Sequence, residues 1–136
     1  MSTYPARIVH LSIDRPWNEV YRFAADPLRM PRWATGLGAG IRRSGEDWVV
    51  DGGPIGEVRV RFAIDNAFGV IDHAVTLPDG TMVHNALRIV PNGDGAEAMF
   101  MLLKLPGTDD TAFEADARNV MADLKRLKEL LEAGAN

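Results

Sequence analysis

The chain is 136 residues long, 25% charged, with a formal net charge of −4, three histidines and no cysteine. Without cysteine there are no disulfides, thiolate nucleophiles or cysteine-ligated metals, and scattered basic residues on a mildly acidic chain leave no electrostatic footprint for nucleic acid. The segment from Met1 to Arg7 lacks a basic region leading into a long apolar stretch, and nothing approaches the roughly 20 apolar residues of a membrane span, so a cytoplasmic protein is expected.

The length suits one domain over residues 1–136, large enough to bury roughly two-thirds of the surface its unfolded chain exposes. A first strand is predicted at Ala6 to Ile13, with Val9, Leu11 and Ile13 on one face and Ile8, His10 and Ser12 on the other. Asp14 offers a helix cap and Pro16 a first helical position, after which Trp17, Val20, Tyr21 and Ala24 recur at helical spacing as one buried stripe. Asp26-Pro27 repeats the signal and predicts a second short helix carrying Leu28 and Trp33, before Gly36, Gly38 and Gly40 open the chain into extended structure.

From there to Leu103 the chain reads as strands separated by turn chemistry at Gly45-Glu46-Asp47, Gly52-Gly53-Pro54, Asn66 to Gly69, Pro78-Asp79-Gly80 and Asn92 to Gly95. That spacing makes an antiparallel meander. Between Gly56 and Ile64, Val58, Val60, Phe62 and Ile64 alternate with Glu57, Arg59 and Arg61, so one face is wet and the other needs a cover. The hairpin from Gly69 to Val90 is the most informative segment. Pro78-Asp79-Gly80 fits a three-residue turn with a left-handed glycine, which pairs Leu77 with Thr81 and, counting back, Val75 with Val83, His73 with Asn85 and Ile71 with Leu87. The opposite face carries Asp72, Thr76, His84 and Arg88, and its polarity selects the same register. For the last strand, a four-residue loop from Asn92 to Gly95 turns Ala98, Phe100 and Leu102 inward, whereas a five-residue loop from Pro91 selects Met99, Met101 and Leu103.

The cover is a C-terminal helix between Asp109 and Glu132. Phe113, Ala117, Val120, Met121, Leu124, Leu127 and Leu131 form one stripe along roughly 36 Å, with Asp109 or Asp110 as cap and Gly134 just beyond the end. An apolar sheet face and an amphipathic helix that complete each other predict an α+β architecture, a curved antiparallel sheet gripping a helix.

Strand, two short helices, six-strand meander and long terminal helix together resemble the helix-grip fold of the START and pollen-allergen superfamily, SRPBCC, and within it the polyketide cyclase/dehydratase-like branch. The resemblance is carried by Pro16-Trp17-Asn18-Glu19-Val20-Tyr21-Arg22-Phe23, the Trp33 segment, Phe68-Gly69-Val70-Ile71-Asp72-His73, Asn92-Gly93-Asp94-Gly95 and Asp123-Leu124-Lys125-Arg126-Leu127-Lys128. It spans nearly the whole chain. It implies a seven-strand sheet and an elongated cavity between the concave face and the terminal helix, in which members hold lipids, polyketides, hormones or other apolar molecules.

His73 and Asn85 are the sharpest candidates for a site. A polar pair on an apolar face orients a small ligand, or else satisfies itself as a buried structural pair. Acid/base catalysis by His73 is the third reading, and Asp72, pointing to the opposite face, does not orient it. The remaining candidate wall comprises Trp33, Trp48, Phe62, Ile71, Leu87, Phe113, Val120, Met121 and Leu124, residues that fill a core and line a cavity equally well in a gripping fold. Tyr21 is the nearest second titratable group if the first helix closes the cavity mouth. Since His10 and His84 face outward while His73 points in, no three-ligand metal set assembles. Gly36-Leu37-Gly38-Ala39-Gly40 follows a helix rather than a strand and reads as a bend, not a phosphate loop. The cluster Arg29, Arg32, Arg42 and Arg43 reads as a solvated rim. The expected function is binding, transport or sensing of a small apolar molecule without a cofactor; the alternative is a cyclase, dehydratase or isomerase using His73 as general base and Asn85 to stabilise an enolate.

Overall fold

Seven strands and two α-helices make up the computed structural model, which describes residues 1–37 and 40–136. The strands are β1 (Ala6–Ile13), β2 (Ile41–Ser44), β3 (Asp47–Asp51), β4 (Glu57–Phe62), β5 (His73–Thr76), β6 (Met82–Asn92) and β7 (Gly95–Leu103); the helices are α1 (Trp17–Ala24) and α2 (Asp110–Glu132). They form a curved antiparallel sheet in the order β1-β7-β6-β5-β4-β3-β2, with α2 against its concave face. β2 to β7 are a continuous meander, and β1 closes onto β7 with Ala6 opposite Leu103 and Ile13 opposite Ala96.

Turn chemistry sets the registers. Gly80, at φ 89°, supplies the left-handed residue of the Pro78-Asp79-Gly80 turn, and Leu77 N donates to Thr81 O at 2.9 Å. His73 therefore lies opposite Asn85 and Val75 opposite Val83, and beyond the strand Ile71 N donates to Leu87 O at 2.8 Å. The next turn spans only Gly93 and Asp94, because Asn92 pairs with Gly95. Of the two alternatives for β7, this selects Ala96, Ala98 and Phe100 for the inside, with Ala96 and Ala98 fully buried and Phe100 opposite Leu87.

Four local expectations are corrected. Asp14 does not cap α1: the helix starts at Trp17 with Pro16 in the cap position, and Asp14 N instead donates to Glu132 on α2. The second helix is a turn at Pro27 to Arg29 followed by short 3-10 helices at Met30–Arg32 and Thr35–Leu37. In that tighter winding Met30 turns inward and Leu28 is 68% exposed. Ile64, expected on the inner face, is 86% exposed, because β4 ends at Phe62 and the chain leaves the sheet after Ala63 N bonds to Asp72 O. In the glycine-rich run, Gly36 and Leu37 sit in a 3-10 helix, while Gly38 and Ala39 lie outside the described residues.

On α2 the predicted stripe holds. Asp109 accepts from Ala112 N as the cap, and Ala117, Leu124, Leu127 and Leu131 are buried, while Phe113, Val120 and Met121 are half-buried. Among the described residues, no helix is long and apolar enough to cross a membrane and no group of three metal-ligating side chains converges.

Candidate functional site

The site exists because the helix does not cover the whole sheet. α2 packs on β1 and, more lightly, on β7, so the core there is continuous, with Val9, Ile13, Ile89, Ala98, Leu124 and Leu127 buried together. Toward β2, β3 and β4 a separate cluster forms from Val50, Val58 and Val60, flanked by Ile41, Val75 and Leu77. Among the described residues, only Leu37 and Phe62 touch both. Between the clusters lies a cavity of about 360 Å³, within the roughly 300–1,000 Å³ of small-molecule pockets.

Its floor is the concave sheet face, where Val50, Val58, Val60, Val75, Leu87 and Phe100 present aliphatic and aromatic surface; α2 supplies Val120, Asp123 and Leu124 at i, i+3 and i+4 as the roof. Met30, Trp33, Ala34 and Leu37 close one side. That segment is clamped by α2: Asp123 Oδ1 accepts from Thr35 N at 3.2 Å and Thr35 Oγ1 at 2.8 Å, and Arg126 Nη1 donates to Trp33 O at 2.9 Å.

His73 and Asn85 enter from neighbouring strands as the polar part of the floor. The imidazole is tilted between the rings of Phe62 and Phe100, with centroids 5.4 and 6.3 Å away. Its Nδ1 lies 3.0 Å from the Ile71 carbonyl oxygen and its Nε2 3.3 Å from Asn85 Nδ2. A carbonyl only accepts, so Nδ1 carries the proton and Nε2 offers a lone pair to the Asn85 amide N–H. Burial pushes the His73 pKa below its ordinary 6.5, outweighing the opposite pulls of the Ile71 carbonyl and the Asp72 carboxylate. The ring is therefore neutral at pH 7.

On the outer face Asp72 is engaged elsewhere. It takes two hydrogen bonds from Arg88, at 2.9 and 2.7 Å, and one from Leu87 N at 3.0 Å, and the Arg88 guanidinium holds its carboxyl below the usual range. It is not a catalytic partner for His73. What the pair offers chemically is a neutral imidazole nitrogen and an amide set in an apolar wall.

The fold has counterparts among solved structures. Over 96% of its length the chain superposes on DynU16, a protein of the dynemicin biosynthetic locus, at TM-score 0.72 and 16% identity, spanning 48% of that longer chain. It matches CalU16 from Micromonospora echinospora at TM-score 0.66 and 16% identity, covering 96% of this chain and 76% of that one. Protein CV1439 from Chromobacterium violaceum aligns at TM-score 0.69 and 16% identity over 93% of this chain and 97% of its own. The chain has the helix-grip fold. By sequence no family model and no curated protein matches it.

In this helix-grip arrangement the candidates separate cleanly. Trp33, Phe62, His73, Asn85, Leu87, Val120 and Leu124 line the cavity. Trp48, Ile71, Phe113 and Met121 do not. Trp48 shares the face of Val60 but lies beyond the cavity, with the Arg43 guanidinium 5.4 Å over its ring. Ile71 is packed in the core and reaches the site only through its carbonyl. Phe113 belongs to the first turn of α2, and Met121 packs on the main core beside the cavity. Tyr21 also points away from the cavity: its hydroxyl donates to Asp65 Oδ1 at 2.9 Å and accepts from Asn66 N at 3.0 Å, tying α1 to the β4–β5 loop. His10 pairs with Glu97 on the outer face. The arginines are spread out, Arg29 and Arg32 over Phe23, Arg42 with Glu57 and Arg43 on Trp48. The helix-grip cavity also uses Met30, Leu37, Val60, Val75 and Asp123, which the sequence reading did not single out as wall. Alternation along β4 and β5 already marked Val60 and Val75 as inward; nothing local distinguished Asp123 from the solvated acids of α2.

Proposed function

We propose that this protein binds a small, largely apolar molecule in the cavity between α2 and the sheet, as a carrier or sensor, with His73 and Asn85 orienting it. The observation that carries the reading is the composition of the wall: a cavity of about 360 Å³ lined mainly by valine, leucine, isoleucine, methionine and aromatic side chains, with one polar pair set into its floor and the Asp123 carboxylate at its roof. Such a wall rewards apolar surface with desolvation, while a few convergent polar groups select orientation. The test is a native mass spectrum of freshly purified protein, scanned for a co-purifying molecule, followed by thermal unfolding with that molecule added back. A bound mass lost in variants that fill the cavity, such as Val60→Phe, supports the reading; an empty spectrum together with no stabilisation by any apolar probe counts against it.

A second reading, a cyclase-like or isomerase enzyme, draws on the neutral His73 Nε2 as a general base and on the likeness to a protein of a biosynthetic locus. It requires turnover that is lost in His73→Gln with binding retained.

A further inference from the structure

We infer that the free side-chain acceptors of the cavity select a ligand carrying a hydroxyl donor, so that the molecule is an apolar, ring-sized body with a phenolic or alcoholic O–H rather than a hydrocarbon, ether or ketone. The inference rests on the carrier reading above and names the chemical class.

Ile71 O, 3.0 Å from His73 Nδ1, can only accept, so the proton is on Nδ1 and Nε2 is bare. A bare Nε2 3.3 Å from the Asn85 amide calls for the NH₂ end of that amide, not its oxygen. The amide's orientation follows, and its Oδ1 accepts no hydrogen bond from any described residue. At the roof, Asp123 takes its bonds from Thr35 and Arg126 on Oδ1, leaving Oδ2 without a donor among the described residues. Phe62, Leu87 and Phe100 around the pair have nothing to donate, and the wall donor left unpaired among the described residues, Trp33 Nε1, is itself buried on the side that Met30 to Leu37 close. A hydroxyl satisfies Oδ1 and offers its own oxygen to the remaining Asn85 N–H. A methyl group in its place leaves the acceptor desolvated and unpaired, which costs more than the hydrogen bond itself gains.

Three shape-matched probes separate the possibilities: 2-naphthol, 2-methylnaphthalene and the acceptor-only 2-naphthaldehyde, each titrated into the full-length protein by calorimetry at neutral pH. The expected result is that 2-naphthol binds about fivefold more tightly than either analogue, the scale of one net hydrogen bond. In the double variant His73→Phe/Asn85→Leu the order reverses in favour of 2-methylnaphthalene. The double replacement is used because in Asn85→Leu alone the uncovered Nε2 would accept the hydroxyl instead. Equal binding of all three probes overturns the donor assignment while the cavity reading stands, as does a preference for the aldehyde. If no probe binds the wild-type protein, the cavity reading fails and this inference with it. The wild-type ranking is decisive even if the double variant does not fold.

Discussion

His73 is held in one tautomer by one backbone carbonyl, and that gives it a signature in solution. Its folded-state pKa lies below the ordinary 6.5 because burial disfavours the charged ring. As pH falls, the unfolded chain takes up the proton first, so stability is complete above about pH 6.5 and declines below it toward the lowered folded value. Urea unfolding of wild type and His73→Phe between about pH 7.5 and pH 5 should show the wild type losing ground to the variant as the solution becomes more acidic. A constant gap across that range would contradict a neutral buried ring. The pair also predicts non-additivity. Asn85→Leu alone leaves Nε2 unpaired and should cost about 1–3 kcal/mol, whereas His73→Phe/Asn85→Leu should cost less than the two single replacements added together, the remaining loss coming from the Ile71 carbonyl left without its imidazole donor. Thermal or denaturant unfolding of the three variants measures the coupling directly.

At the scale of elements, α2 serves two regions with one stripe. Leu127 is fully buried in the continuous core, while Leu124, buried as well, borders the cavity. Both truncations to alanine should fall within about 2–5 kcal/mol, with Leu127→Ala the more costly because Leu124 already lacks packing partners on one side. The β5–β6 hairpin has its own weak point. A Cβ on Gly69 would meet Ile89 O at 1.8 Å, and the residue sits at φ 73°. Gly69→Ala should therefore cost about 3 kcal/mol or more, since both the conformation and the close approach resist it. Equilibrium unfolding checks all three.

Much of this was legible in the chain because the informative signals are local. Pro78-Asp79-Gly80 determines a register from three residues, and the spacing of Ala117, Leu124, Leu127 and Leu131 determines a helix face. What could not be read depends on how elements meet. Leu28 is left exposed in the turn at Pro27 to Arg29, and Met30, at the start of the 3-10 helix that replaces the expected α-helix, is buried instead. Trp48 carries the right alternation and still misses the cavity, since the curvature of the sheet decides how far along a strand the void extends. Asp123 is placed in the roof by Thr35 and Arg126, partners it acquires only in the folded chain.

For the molecule as a whole, an occupied cavity is a source of stability by mass action. A ligand that binds only the folded state, present at 100 times its Kd, should raise the unfolding free energy by about 2.7 kcal/mol, and a melting temperature that climbs with ligand concentration would display it. Phe62→Ala enlarges the void and should weaken that response, measured as the shift at fixed ligand.

The order of elements along the chain also has a temporal meaning. β1 waits for β7, some ninety residues later, to find its neighbour, and α2, which roofs the concave face, comes after every strand. During synthesis the sheet is thus built as an open apolar trough, and the same surface that later holds a guest is for a time available to any apolar segment in its surroundings. A nascent chain halted before Asp110 is the form in which this protein should most need a chaperone.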